Sequence, residues 1–219
     1  MKLRALKACS LVTATGIVLL AGCSHDDSAG SKAPANLQHS KSSTTTYEVG
    51  VASQLSVDTT AGDVHIVASD RSDLKVTEKI TYSADKPRTS HTSRDGKVML
   101  KDHDCRSGSC SVSYRIMVPE RLSSRISSGG GNISGSALAG NTVAETKGGD
   151  VNLAFAKAPA DLDAFSAGGD VDIRVPAGHY AVQAQANGGD RKVGVTVDKG
   201  SVHKVKARSN GGDVTVVPR

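Results

Sequence analysis

Four aspartates that each follow a pair of glycines are the residues of this sequence best placed for chemistry. Asp150, Asp170, Asp190 and Asp213 are joined by Asn132 in the same context, at spacings of 18, 20, 20 and 23 residues. If these copies stacked as neighbouring strands, the carboxylates would lie about 5 Å apart. Like charges that close need cations or backbone N–H groups beside them. The row is therefore a candidate calcium-binding edge, although hydrogen bonding of each Asp to its own turn is the preferred interpretation.

Two cysteines form the second candidate site. Cys105 and Cys110 flank a Gly/Ser segment between a strand predicted to end at Leu100 and one predicted to begin at Val112. In an oxidising compartment, a disulfide closing this hairpin is the economical prediction. The alternative is a metal or redox site, since the sequence 102–105 is Asp-His-Asp-Cys. No zinc-ligand or C-x-x-C spacing supports that alternative.

The N-terminus indicates export and a lipid anchor. A basic segment, residues 1–7, precedes 13 apolar residues, 8–20, which is too short for a membrane span and typical of a signal peptide. The segment ends in Leu-Ala-Gly-Cys, which resembles a bacterial lipobox. The resemblance implies cleavage after residue 22 and a diacylglycerol thioether on Cys23. We therefore expect an extracytoplasmic protein that is held on a bacterial membrane by its N-terminal lipid.

Residues 23–46 are predicted to be a flexible tether, because they are rich in Ser, Thr, Ala, Gly and Lys and have a single large apolar residue, Leu37. The charge balance excludes a nucleic-acid partner. Of the 27 basic residues, three lie in the signal peptide, so the remaining 24 face 22 acidic residues, which are interleaved with them.

From Tyr47 onward, apolar and polar residues alternate with the period of half-buried strands. We predict antiparallel strands over 47–127, followed by repeats of about 20 residues over 128–219, each made of two short strands and two turns. The paired glycines predict a positive φ at a tight corner. Because one repeat cannot bury its own apolar edge, the all-β prediction is a β-solenoid-like stack. An antiparallel meander or sandwich is the alternative. Arg191 departs from the pattern, since most other copies carry an apolar residue there.

Catalytic motifs are missing from the sequence. There is no His-Glu-x-x-His, no Gly-x-Ser-x-Gly and no Walker loop, and the seven histidines are scattered. We predict a protein that is not an enzyme and needs no cofactor. A carbohydrate-active solenoid enzyme is the least favoured alternative, because aromatic residues for sugar stacking are scarce.

The stretch 47–219 resembles a bacterial family described as putative adhesins, with a β-strand-repeat domain of unknown function. The matching features are the Gly-Gly-Asp-Val phrases, the strand end Ile-Met-Val-Pro at 116–119, and the lipobox. The resemblance implies a β-solenoid-like domain outside the cell and transfers no catalytic residue. The expected role is adhesion or surface contact with a protein or polysaccharide, and a calcium-stabilised envelope scaffold is the second hypothesis.

Overall fold

The computed structural model describes residues 40–103, 105 and 110–219, and in these ranges every regular element is a β-strand. The all-β prediction is confirmed. No helix in these ranges is long and apolar enough to cross a membrane. The strands are β1 Lys41–Val51, β2 Gln54–Thr59, β3 Val64–Ser69, β4 Asp73–Tyr82, β5 Arg88–Arg94, β6 Lys97–His103, β7 Cys110–Pro119, β8 Ser123–Ser128, β9 Ile133–Leu138, β10 Thr142–Thr146, β11 Val151–Phe155, β12 Asp161–Ser166, β13 Val171–Val175, β14 His179–Ala186, β15 Arg191–Val193, β16 Thr196–Val197, β17 Lys204–Ser209 and β18 Val214–Pro218.

These strands form two mixed sheets of nine strands each. The first sheet has the order β1-β4-β7-β3-β9-β11-β13-β18-β15, and the second has the order β16-β14-β17-β12-β10-β8-β2-β6-β5. Each Gly-Gly-Asp copy lies at the turn that leads from a strand of the second sheet into a strand of the first. Successive copies therefore add one strand to each sheet.

Strand directions correct the prediction for residues 47–127. β2 and β3 pair in parallel with β8 and β9, so they continue the repeat region instead of preceding it. Among the described strands, antiparallel pairing is confined to β1–β4, β4–β7 and β5–β6, at one end of the two sheets. The repeat strands themselves pair in parallel, which excludes the antiparallel meander for this region.

The spatial order of the copies also differs from their order in the chain. β18 lies between β13 and β15 in the first sheet, and β17 lies between β12 and β14 in the second. The last copy in the sequence, that of Asp213, therefore lies between the copies of Asp170 and Asp190 in the structure. Apolar positions nevertheless align as predicted, because Val151 pairs with Val171 and Val171 with Val214.

Inward-facing side chains of both sheets form one core. In the first sheet, Ile133, Val151, Val171 and Val214 follow one another across the strands and are at most 1% exposed. Full burial of each such side chain stabilises the fold by about 1.5–3 kcal/mol. The second sheet contributes both large residues, such as Leu162, and small ones, such as Ala164.

The first strand begins six residues earlier than the alternation suggested. β1 starts at Lys41 and pairs with β4 from Tyr82 onward, so residues 41–46 of the predicted tether belong to the sheet. β1 is an edge strand and is mostly exposed, so it has no apolar alternation to reveal it. Its three consecutive threonines, 44–46, are β-branched residues that favour strands.

Candidate functional site

The predicted sulfur sites have different outcomes. Cys23 lies outside the described residues. Cys105 and Cys110 form the predicted disulfide, with their Cα atoms 5.5 Å apart. The disulfide does not close a hairpin, because β6 belongs to the second sheet and β7 to the first. Alternation in the sequence locates strands but not their partners. The disulfide instead fastens the chain where it crosses between the sheets, directly at the first residue of β7.

The recurring geometry of the Asp row is a ladder of hydrogen bonds between copies. Except at Asp190, which ends the ladder, each side-chain Oδ1 accepts the backbone N–H of the Asp or Asn in the adjacent copy, and does not cap its own turn as predicted. The ladder runs through Asp63, Asn132, Asp150, Asp170, Asp213 and Asp190, with N···Oδ1 distances of 2.8–2.9 Å. The N–H groups beside the carboxylates thus offset part of their mutual repulsion.

Cation binding by this row stays a prediction. In the described part of the chain, no group of three or more His, Cys, Asp and Glu residues is arranged to hold a metal ion. Asp102, from the ligand-rich segment beside Cys105, is buried and accepts hydrogen bonds from Thr59 Oγ1 and from the backbone N–H and Oγ1 of Thr60. Its carboxylate serves the packing of β2 against β6.

A second ladder, made of buried hydroxyl groups, was missed by the sequence interpretation. Ser166 Oγ donates to the carbonyl oxygen of Gly149 at 2.7 Å and accepts the N–H of Gly169 at 2.8 Å. Ser128, Thr146 and Ser209 make the same two bonds. The available signal was a Ser or Thr four residues before each Asp or Asn, which only the copy of Asp190 replaces, by Ala186.

The second glycine of each phrase is explained by close approach. A Cβ atom at Gly169 would clash with Oδ1 of Asp150, and one at Gly212 with Oδ1 of Asp170. Among the described glycines, positive φ occurs at Gly62 and Gly96 and not in the Gly-Gly pairs after residue 128. The prediction of positive φ in the repeats is therefore wrong. Glycine is needed so that the ladder carboxylate can lie against the next backbone.

The outer face of the second sheet is the best-formed candidate interaction site. We define it by the outward residues that stand in register across seven strands: Met99, Ser56, Arg125, Val143, Asp163, Lys206 and Gln183. Three shallow cavities follow this face. Their volumes are about 360, 340 and 490 Å³. They extend from β6, at Met99, to β14, at Gln183. Such an extended surface on stacked strands is a common form of binding site.

Opposite charges alternate across this face. The carboxylate of Asp163, in the middle of the face, forms ion pairs with Arg208 at 3.1 Å and with Lys206 at 3.4 Å. The guanidinium of Arg208 also lies 5.2 Å from the centre of the Phe165 ring. These ion pairs are partly exposed, so each adds at most about 1 kcal/mol to stability. Cationic side chains lie on both sides of this acidic centre. The face therefore offers alternating charge with apolar patches between.

A Ser–His pair on the outer face of the first sheet has the residue types of a catalytic group. His65 Nδ1 and Ser134 Oγ are 2.7 Å apart. Burial, followed by the charge of Arg115, lowers the pKa of His65. A Ser–His–acid arrangement requires a carboxylate that orients the imidazole. Among the described residues, no carboxylate is hydrogen bonded to His65, and the neighbouring charge has the opposite sign. The pair fits a structural contact between β3 and β9.

A second buried polar group lies at the antiparallel end. Glu78 is 7% exposed and accepts a hydrogen bond from Thr89 Oγ1, while the hydroxyl of Tyr114, its partner across β4 and β7, is buried without a hydrogen bond among the described residues. Burial, followed by the charge of Glu78, raises the pKa of Tyr114 and raises that of Tyr47 to about 12. Both phenols are thus held neutral.

Comparisons with known proteins agree with this fold. The family model named Toastrack DUF4097, a domain of unknown function, matches residues 97–217, which is more than half of the chain. No curated protein matches. A crystal structure of a putative cell adhesion protein from Clostridium sporogenes is 14% identical, with a TM-score of 0.61, and the match covers 82% of this chain and all of that one.

Two further solved structures match over similar lengths. A putative adhesin from Bacteroides fragilis is 14% identical, with a TM-score of 0.32, over 81% of this chain and 97% of that chain. A putative lipid binding protein from Parabacteroides distasonis is 11% identical, with a TM-score of 0.28, over 80% and 96%. At these identities the similarity concerns the fold, and of these three structures the one from Clostridium, with a TM-score above 0.5, supports that conclusion.

Proposed function

The chain belongs to the Toastrack DUF4097 family, and from that premise we propose that it is a non-catalytic module that makes surface contacts through the outer face of its second sheet. The single observation that carries this proposal is the row of three cavities between β6 and β14 on that face. The partner is a protein or polysaccharide of the cell envelope or its surroundings.

The scaffold of this module is a β-solenoid whose repeat unit is the Gly-Gly-Asp phrase with its two strands. Two ladders support this description, because the Asp/Asn side chains and the buried Ser/Thr hydroxyls each link one copy to the next. Equivalent apolar residues, such as Leu153, Ile173 and Val216, also follow one another in register. Such a rigid stack keeps the outward side chains of neighbouring strands at a constant spacing of about 5 Å.

The same proposal places the module outside the cell, held to a bacterial membrane by a lipid on Cys23. The signal-like N-terminus and the lipobox-like tetrapeptide ending at Cys23 support it. A surface role is also supported by the similarity to the Clostridium structure, which is described as a putative cell adhesion protein. Replacement Cys23→Ala should move the protein from the membrane fraction to the soluble fraction. Unchanged membrane association would contradict the lipid anchor.

A paired set of variants tests the face itself. Met99→Glu with Val143→Glu alters the outer face of the second sheet, whereas Met117→Glu with Val67→Glu makes the same change on the outer face of the first sheet. We expect immobilised full-length protein to retain envelope components, and the first pair alone to abolish retention. Thermal melting verifies that both variants fold. Loss in the second pair with retention in the first would assign binding to the other sheet and overturn the proposal.

A further inference from the structure

Because the last copy is inserted between two earlier ones, a loop, residues 198–203, forms the wall of a cavity at one end of this face. After β16, at the sheet edge, the chain must return past β14 to reach β17. The returning loop, residues 198–203, is fixed to the start of β14. The N–H of Asp198 donates to the carbonyl of Tyr180 at 2.9 Å, and Ser201 Oγ donates to the carbonyl of His179 at 2.8 Å. Asp198 Oδ1 also accepts the N–H of Gly200.

The largest of the three cavities, about 490 Å³, lies against this loop. Three lysines line it: Lys199 from the loop, and Lys204 and Lys206 from β17. One carboxylate, Asp161, lines it as well, so the formal charge of the lining is +2. In the described part of the chain, Lys199 and Lys204 form no ion pair, and Lys206 has only its 3.4 Å pair with Asp163.

The neighbours of these lysines leave their charge uncompensated on one side. In register with Lys204 and Lys206, β14 presents Ala181 and Gln183, which carry no charge, whereas β12 on the other side presents Asp161 and Asp163. Lys199 and Lys204 are exposed, and exposed ammonium groups without an ion pair attract anions. Lysine ammonium groups bind phosphate as compact point charges. The amide of Gln183 adds hydrogen-bond donors at the floor.

We propose that the cavity lined by Lys199, Lys204 and Lys206 binds a phosphate ester group. The proposal rests on the proposed function in so far as this cavity is one end of the same interaction face, and it names the chemistry of what that end recognises. The ester could belong to a membrane lipid headgroup or to a phosphate-bearing polyol or sugar outside the membrane, since both present the same group.

Calorimetric titration of the full-length chain with glycerol phosphate tests the site. Binding should weaken about fivefold or more in Lys204→Ala and again in Lys199→Ala, the effect of removing one unit charge about 4 Å away in a water-like medium. Asp161→Asn should strengthen binding by about the same factor, because it removes the carboxylate from the lining. Lys97→Ala, in the cavity at the far end of the face, is the matched control and should leave affinity unchanged. Melting curves check that every variant folds.

Two further ligands identify the source of the phosphate ester and test the selectivity of the site. Short-chain phosphatidylglycerol that binds more tightly than glycerol phosphate indicates a lipid headgroup, and the reverse order indicates a phosphate outside the membrane. No binding of either ligand, equal binding of glucuronate, or indifference to Lys204→Ala would each overturn the phosphate site. If envelope retention persists while glycerol phosphate fails to bind, the phosphate inference is wrong and the interaction face stands.

Discussion

Replacement of Asp170 by Ala should destabilise the stack by removing one link between copies. Oδ1 of Asp170 accepts the N–H of Asp213 at 2.8 Å. A hydrogen bond to a charged acceptor contributes about 1.5–3 kcal/mol when it is shielded from water. Both residues are exposed, so water can partly replace the lost acceptor. We expect a loss of about 1 kcal/mol, which corresponds to about 2–4 °C in the melting temperature for a domain of this size.

Asp190 is the matched control for this experiment. It ends the ladder, and within the described residues its carboxylate accepts no hydrogen bond from a further copy, although its own N–H is bonded to Asp213. Asp190→Ala should therefore change the free energy of unfolding by less than about 0.5 kcal/mol, as for ordinary surface substitutions. Urea denaturation with a constant m-value measures both variants on one scale.

Asp170→Asn separates the ladder from a calcium site. Asn132 already serves as a ladder residue, with its Oδ1 accepting the N–H of Asp150 at 2.8 Å. An amide at 170 should therefore keep stability within about 0.5 kcal/mol of the native chain. A bound calcium ion, by contrast, would lose a charged ligand, and any stabilisation by calcium in melting curves would fall.

Two results would refute this reasoning. Equal destabilisation by Asp170→Ala and Asp190→Ala would show that the ladder bond adds nothing beyond the local turn. A melting temperature that rises with calcium, falls with chelator and loses both responses in Asp170→Asn would show that the row is a cation site. Indifference of the native chain to calcium and chelator agrees with the ladder.

The remaining predictions concern the core of the stack and its antiparallel end. Ser166→Ala should lower the free energy of unfolding, measured by urea denaturation, by about 2 kcal/mol, because the buried carbonyl of Gly149 and the N–H of Gly169 lose their partner. Ala186→Ser, in the terminal copy, should leave the free energy of unfolding nearly unchanged. Replacing Cys105 and Cys110 together by Ser should cost about 2 kcal/mol by the chain-entropy model, and reductant should have no further effect on that variant. Burial raises the pKa of Tyr47 to about 12, so the stability that its neutral phenol contributes is fully present below pH 10 and is lost as the pH rises through 12. Tyr47→Phe should therefore make the unfolding midpoint decline less steeply across that window. An unchanged decline would contradict the assignment.

The repeat and its buried positions could be read from the sequence because they depend on local pattern. A Gly-Gly-Asp phrase followed by alternating apolar residues predicts a turn and a strand, and Val151, Val171 and Val214 do align. The order of the copies depends on a different quantity, the free energy of inserting β17–β18 between earlier strands. Periodicity carries no information about that choice, so the order of the copies could not be predicted from the sequence.

Two departures from the repeat become informative once the order is known. In one copy, Arg191 stands in place of an apolar residue and Ala186 in place of a Ser or Thr. That copy supplies β14 and β15, which lie near the end of the two sheets. A terminal copy has no further neighbour in the first sheet, so an exposed Arg costs little there and discourages further strand pairing. The departure at Arg191 thus marks the edge strand of the first sheet.

The candidate interaction face could not be predicted because its members are distant in sequence. Met99 and Lys206 face the same side only because β6 and β17 belong to one sheet, with four strands between them. In sequence, the lysines of β17 are interleaved with acids elsewhere, which made the overall charge look balanced. Strand register places Asp161 and Asp163 of β12 beside Lys204 and Lys206 of β17, and of these two lysines Lys206 forms an ion pair in the described part of the chain.

The strands at one end of the two sheets, β14 and β15, reach the rest of their sheets through the inserted strands β17 and β18. Among the described strands, β15 pairs with β18 alone, and β14 reaches the rest of the second sheet through β17. Residues 179–193 therefore cannot join the stack until residues 204–218 have been synthesised and placed between them and β12–β13. Their native contacts with the stack therefore depend on β17 and β18 being in place. The same insertion sends the loop at 198–203 back past β14, so this side of the lysine-lined cavity also depends on the inserted copy.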